Sequence, residues 1–354
     1  MMKLDKLRAA LEEQGVDALL ITNGYSRRYM TGFTGTAGVA IVSKNDAVFI
    51  TDFRYTEQAA SQVKDYRIVQ HTKTLIEEVA NQVTEMCINS IGFEKDDLTY
   101  SGYELYKQAI QADLVPLSGL VEKIRLIKTE EEISIIKAAC RIADEAFEHI
   151  VTYIKPGMTE LEVSNELEFF MRKLGASSSS FDTIVASGVR SALPHGVATS
   201  KVIEVGDFVT LDFGALYNGY ISDTTRTVAV GEPSDQLKEI YQVVLDAQLL
   251  ALDKIKPGMT GKEADAIARD YIASKGYGEA FGHSLGHGIG LEVHEGPGLS
   301  FRSDITLEPG MIITIEPGIY LPNIGGVRIE DDAIVTENGL EKLTHSTKEL
   351  LILS

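Results

Sequence analysis

The chain has 354 residues, 52 acidic and 33 basic, for a net charge of −19 at pH 7. That balance excludes the Lys/Arg patches that a nucleic acid or an anionic membrane surface would require. The length exceeds what one hydrophobic core usually supports, and the 44% hydrophobic content suffices for two.

The chain opens with "MMKLDKLRAALEEQG", charged where a secretory leader needs an apolar run, and no stretch of about 18 apolar residues follows anywhere. A cytoplasmic protein with no membrane partner is expected. Leu4, Leu7 and Leu11 form a helical stripe ending at Gly15, and "DALLIT" follows as a buried strand. Residues 23–38, "NGYSRRYMTGFTGTAG", read as a glycine-rich loop. "GVAIVS" and "AVFIT" flank "KND" as a hairpin. Helix-like and strand-like pieces then alternate to "ADLVPL", which predicts an α/β domain over residues 1–125. Arg27, Arg28, Asp52, Arg54 and Tyr55 read as solvated surface, with reach toward a neighbouring active site as the alternative. Cys87 and Cys140 lie in apolar, helix-like patterns and are expected to be buried fillers in a reducing compartment.

A second domain, residues 126–354, begins with a long helix. Thr129 and Glu132 make its capping box, and Ile133, Ile136, Cys140, Ala143, Phe147 and Ile150 its apolar stripe. Within this domain "IKPGMTELEV" at 154 recurs as "IKPGMTGKEA" at 255, each copy with a Thr-x-x-Glu box, Thr159/Glu162 and Thr260/Glu263. Two copies predict a pseudo-twofold domain. "LPHG" around His195 answers "LGHG" around His287, and "DFVTLDFG" answers "MIITIEPG", so Asp212 pairs with Glu316. The notable polar residues are expected at equivalent points of the two halves.

"GDFVTLDFGALYNGYISDTTRTVAVG" reads as a hairpin around Asn218-Gly219. Tyr217 then faces Tyr220 and Asp212 faces Thr225, so Asp223 becomes the diagonal neighbour of Asp212, within roughly 7–8 Å. Glu316 and Glu330 lie in two strand-like runs joined by a Gly/Pro/Asn loop. Acids inside apolar strands need a counter-charge. Only Arg226 and Arg328 are near in sequence, so divalent metal serves four carboxylates better. Residues 282–298, "GHSLGHGIGLEVHEGPG", bring three of the seven histidines into twelve residues. Their glycines argue against a helix; a surface loop is the alternative to a site. His287 and His294 are seven apart and would face opposite ways on an unbroken strand, so a bend near Gly288 and Gly290 is expected if both are to meet a substrate. Asp212, Asp223, His287, Glu316 and Glu330 form a set of four oxygen ligands and one imidazole, more than a single catalytic zinc takes. Two metals are implied, with manganese favoured and cobalt, iron or zinc as rivals.

These blocks, in this order, resemble the pita-bread metallopeptidases and within them the Xaa-Pro peptidases, prolidase and aminopeptidase P. "RYMTGFTGTAG" and "TDFRY" resemble the family's creatinase/prolidase-type N-terminal domain. The resemblance implies an α/β (α+β) chain: an N-terminal creatinase/prolidase-type domain followed by a pita-bread domain. It places the metal ligands on Asp212, Asp223, His287, Glu316 and Glu330, with Glu316 as proton shuttle. His195 and His294 become oxyanion donors, Arg328 lies close to the shuttle, Tyr320 lies near the site, and His283 is not a ligand. It further implies a homodimer acting on proline-containing di- or oligopeptides. The expected activity is that of an Xaa-Pro dipeptidase, with aminopeptidase P as the alternative. A metal-free binding module and a creatinase-like amidinohydrolase are disfavoured by the complete ligand set.

Overall fold

The computed structural model describes residues 3–354, and the chain divides into two compact units, one ending at Arg125 and the other Leu126–Ser354. In the first unit the elements are α1 (Lys3–Gln14), β1 (Ala18–Ile21), α2 (Gly24–Thr31), β2 (Val39–Ser43), β3 (Ala47–Thr51), α3 (Thr56–Gln62), β4 (Arg67–Gln70), α4 (Leu75–Glu85), β5 (Ser90–Glu94), α5 (Tyr100–Ala109), β6 (Asp113–Leu117) and α6 (Leu120–Arg125). They build one six-stranded mixed sheet, order β4-β3-β2-β1-β5-β6, whose central strands are buried on both faces. That is why "ALLI" and "VAIV" are continuous apolar runs rather than alternating ones.

Three expectations change here. Residues 24–31 are helix, not loop: Asn23 Oδ1 accepts the Tyr25 and Ser26 amides, and Gly32 at φ 75° ends the helix in the left-handed region. Arg27 is buried rather than solvated, donating to the Gly35 and Gly38 carbonyls and holding the glycine-rich segment down. Cys87 is exposed just past α4 at φ 54°, whereas Cys140 is buried as expected.

The second unit comprises α7 (Glu130–Tyr153), α8 (Glu160–Lys173), β7 (Ser178–Ser179), β8 (Ile184–Ser187), β9 (Phe208–Phe213), β10 (Ala215–Tyr217), β11 (Tyr220–Ile221), β12 (Thr224–Val230), α9 (Asp235–Lys254), α10 (Gly261–Ser274), β13 (Gly286–Gly288), β14 (Glu295–Leu299), β15 (Ile312–Ile315), β16 (Gly318–Leu321), β17 (Gly325–Arg328), β18 (Asp331–Thr336), β19 (Gly339–Lys342) and β20 (Ile352–Leu353). Each half is a helix pair followed by a long hairpin. Both Thr-x-x-Glu boxes open their second helix, α8 and α10, with the threonine hydroxyl accepting the glutamate amide and the glutamate returning to the threonine amide. Each half has its own core, one built from α7 and α8 against β9 and β12, the other from α9 and α10 against β15 and β17.

The first hairpin keeps one register throughout: Tyr217 faces Tyr220, and further out Asp212 faces Thr225. Asn218 (φ 47°) and Gly219 (φ 86°) supply the two positive φ angles of a type I′ turn. At Gly214 a Cβ would lie 1.8 Å from the Ser222 carbonyl oxygen, so only glycine lets the hairpin leave the β20-β12-β9-β8 sheet and pair with β7. The second hairpin also holds one register, Ile315 facing Asp331 and Gly318 facing Arg328, which sets Glu316 directly opposite Glu330. The halves are therefore not strictly equivalent in their polar residues. Opposite Asp212 stands Thr225, with the second acid, Asp223, displaced by two positions.

Candidate metal centre

Asp212 is the penultimate residue of the buried strand β9, and Asp223 lies between β11 and β12. Glu316 and Glu330 flank the β16–β17 ribbon, and His287 is the middle residue of β13. All five line one cavity of about 550 Å³, together with His195, His283, His294 and Arg328. Asp223, His287 and Glu330 each offer a ligand atom, and these atoms lie within 4.8 Å of one another. Glu316 Oε1 stands 3.4 Å from His287 Nε2, and Asp223 Oδ2 3.7 Å from the same nitrogen. Because His287 Nδ1 faces the Gly288 carbonyl at 3.1 Å, the ring's proton belongs there, and Nε2 presents a lone pair to the cavity.

Asp212 does not join that three-residue group. Its Oδ2 accepts Arg328 Nη2 at 2.6 Å, and its Oδ1 is buried with no hydrogen-bond partner. Arg328 reaches three groups at once: Asp212, the Tyr320 hydroxyl (2.7 Å) and Thr225 Oγ1 (3.1 Å). Arg226, the other candidate counter-charge, turns away and pairs with Asp331. The Tyr320 hydroxyl, accepting from Arg328, donates to His283 Nε2 at 2.8 Å, while His283 Nδ1 donates to the Ser284 carbonyl. Both nitrogens of His283 are thereby occupied.

Burial first, then repulsion of its charge by Glu330, Asp212, Asp332 and Glu316, pushes Asp223 well above the usual carboxylate range. Glu330 rises for the same reasons, and burial lifts Glu316 to about 8 against the pull of Arg328. Burial, followed by His294, lowers His287 to about 4. Acids that would rather stay protonated and an imidazole that would rather stay neutral are the electrostatic mark of a pocket built for added positive charge. The unpaired Asp212 oxygen, the hard donors and the free Nε2 fit a divalent cation.

Two site residues were missed in sequence. Thr225 Oγ1 accepts from Arg328 and donates to Glu330 Oε2 at 2.6 Å; Thr314 Oγ1 accepts the His287 amide and donates to Glu316 Oε1 at 3.1 Å. Thr314 could have been found two residues before Glu316, on the same strand face. His287 and His294 meet with ring centroids 4.4 Å apart. The chain bends between them, as expected; in addition, the pairing of β13 with β14 shifts opposite His287, where Gly286 faces Leu299 but Gly288 faces Glu295. There a Cβ on Gly288 would lie 2.0 Å from the Gly296 carbonyl oxygen.

Residues 134–337 match metallopeptidase family M24, and residues 3–127 match the creatinase/prolidase N-terminal domain. The chain belongs to metallopeptidase family M24. It is thus a metal-dependent peptidase with a creatinase-type N-terminal domain followed by a pita-bread domain. Among solved structures, the M24 chain is similar to an Xaa-Pro dipeptidase from Bacillus anthracis, at 67% identity, 99% of each chain and a TM-score of 0.98. It is also similar to an X-Pro aminopeptidase from Thermotoga maritima, at 43% identity, 98% of this chain, 100% of the other and a TM-score of 0.91. An Xaa-Pro dipeptidase of Pyrococcus furiosus is 42% identical over 99% of both chains. Among the described residues, no helix of the M24 chain is long and apolar enough to cross a membrane.

Proposed function

We propose that the chain hydrolyses the Xaa-Pro bond of dipeptides. The observation that carries this is the 67% identity, over 99% of both chains, to the Bacillus anthracis Xaa-Pro dipeptidase. Asp212, Asp223, His287, Glu316 and Glu330 are the residues that would hold two divalent cations, and their oxygen-rich chemistry favours manganese over cobalt, iron or zinc. Bound there, such ions supply a hydroxide near neutral pH and polarise the scissile carbonyl.

The chain's own groups do the rest. Glu316 takes the proton released by the attacking water onto a carboxylate oxygen and returns it to the proline nitrogen as the C–N bond breaks. His195 and His294, both lining the cavity, donate to the oxygen that gains charge in the transition state. Arg328 holds Asp212 and Tyr320 in place through its two terminal nitrogens. Phe181, Ile184, Pro194, Val197 and Val293 give the cavity an apolar side suited to a pyrrolidine ring, which lacks the N–H that strand-gripping proteases use.

The Thermotoga maritima relative supports the second reading, removal of the N-terminal residue from longer Xaa-Pro peptides. Supplying Mn²⁺ and comparing Xaa-Pro, Xaa-Pro-Yaa and Xaa-Ala decides between them. The dipeptide is expected to be cleaved fastest. A faster tripeptide would establish the aminopeptidase, and Xaa-Ala cleaved as fast as Xaa-Pro would sink proline specificity. We further propose a cytoplasmic homodimer; a monomer in sedimentation would remove the second half of that statement.

A further inference from the structure

His195 is exposed at the cavity, so its place depends on the course of the loop that carries it, residues 188–198. One carboxylate closes that loop at both ends. Glu160, the first residue of α8, is 0% exposed. Its Oε1 accepts the Ser187 amide at 2.8 Å and the Ser187 hydroxyl at 2.9 Å, where β8 runs into the loop. Its Oε2 accepts the Thr199 amide at 3.0 Å and the Thr199 hydroxyl at 2.8 Å, where the loop returns. The same oxygen pairs with Arg190, which lies inside the loop and spans it to the Val197 carbonyl at 3.0 Å. A carboxylate taking four hydrogen bonds and an ion pair repays its burial, and none of these partners lies on α8 itself.

The second half meets the same need differently. At the position answering Glu160 stands Gly261, where a Cβ would come within 2.1 Å of the Gly298 carbonyl oxygen. The clasp there is Asp265, one turn further along α10, buried and accepting the Leu285 amide at 2.9 Å. Its arginine partner, Arg269, donates to the Phe281 and His283 carbonyls and so fixes the approach to β13 and His287. Each half thus carries a buried acid and an arginine that anchor the segment bearing its histidine.

We propose that Glu160 is the positioning residue for His195: by tying Ser187 to Thr199 it fixes loop 188–198 and sets the imidazole against the substrate. This rests on the reading of His195 as a working residue. Glu160→Gln removes the charge facing Arg190 and puts a donor where one arm must accept.

The test uses full-length protein and measures hydrogen exchange and kinetics together. In Glu160→Gln, amides of 188–198 should exchange at least about tenfold faster while 281–287 stay as in wild type, and Asp265→Asn should do the reverse. Activity should fall through kcat, by roughly 10–100-fold for a displaced group, and that fall should vanish in a His195→Ala background. Thr199→Val, which removes one hydrogen bond of the clasp, should give a smaller change of the same kind should Glu160→Gln fail to fold. Unchanged exchange in 188–198, or an equal loss of kcat with His195 absent, overturns the proposal. Full activity in His195→Ala overturns the role of the histidine instead and leaves the clasp to be judged by the exchange alone.

Discussion

The proposed function gives different work to two imidazoles whose ring centroids lie 4.4 Å apart. His287 turns its proton to a backbone carbonyl and its lone pair inward, whereas His294 lies on the bend that follows. His287→Ala is therefore expected to lose bound Mn²⁺ on dialysis. His294→Ala should keep its metal and lose kcat by roughly 10²–10³-fold, as for removal of one oxyanion donor. Metal analysis beside steady-state kinetics separates the two, and equal metal content in both variants would contradict the assignment. Arg328 shows what sequence alone withheld at this scale. Both Arg226 and Arg328 stood near the acids in sequence, and only the fold reveals that one turns to Asp331 and the other to Asp212.

At the scale of elements, the Thr-x-x-Glu boxes and the Asn-Gly hairpin could be read directly, because caps and two-residue turns are decided within a few residues of chain. Thr159→Ala and Thr260→Ala should each cost about 1 kcal/mol in urea unfolding, and the double variant should show the sum within about 0.5 kcal/mol, since the boxes cap separate helices. Helix α2 escaped notice: it is short, glycine-flanked and fixed partly from afar, the amides of Thr22 and Asn23 being held by Glu94, some 70 residues on. Glu160 was legible only as an acid near a helix start, since its partners lie 27 to 39 residues away. A similar distant tie gives a pH dependence. Asp17 accepts the Asn89 and Ser90 amides, and these bonds hold its carboxyl below the usual range. A depressed folded-state value means stability that is present above the ordinary aspartate pKa and is lost as pH falls through the depressed one. Asp17→Asn should therefore weaken the first unit at pH 7 and bring variant and wild type together as the pH falls below the depressed value, followed by exchange of the β5 amides. A constant gap between them across that range would contradict this.

For the whole molecule, all the candidate ligands belong to Leu126–Ser354, so metal should stabilise that unit alone. Mn²⁺ at about 100 times its Kd adds about 2.7 kcal/mol, roughly 5–10 °C in Tm for a unit of this size. Calorimetry before and after chelation measures the shift, and hydrogen exchange locates it. Equal protection of both units would show that the cation binds elsewhere. The sequence repeat made the pseudo-twofold plan readable in advance and the Asn-Gly turn placed Asp223, whereas the pairing of Glu316 with Glu330 came only from the fold. Asp223 sits diagonally from Asp212, whereas Glu316 and Glu330 stand face to face.

Asp212 and Asp223 belong to the hairpin before Gly231, and His287, Glu316 and Glu330 to the stretch after Ser234. A nick between those positions would leave neither piece with the full ligand set, so cation uptake by a mixture of the pieces would report that the halves had found each other. Joining the two helix-pair-and-hairpin halves and completing the candidate ligand set are, in this architecture, a single event.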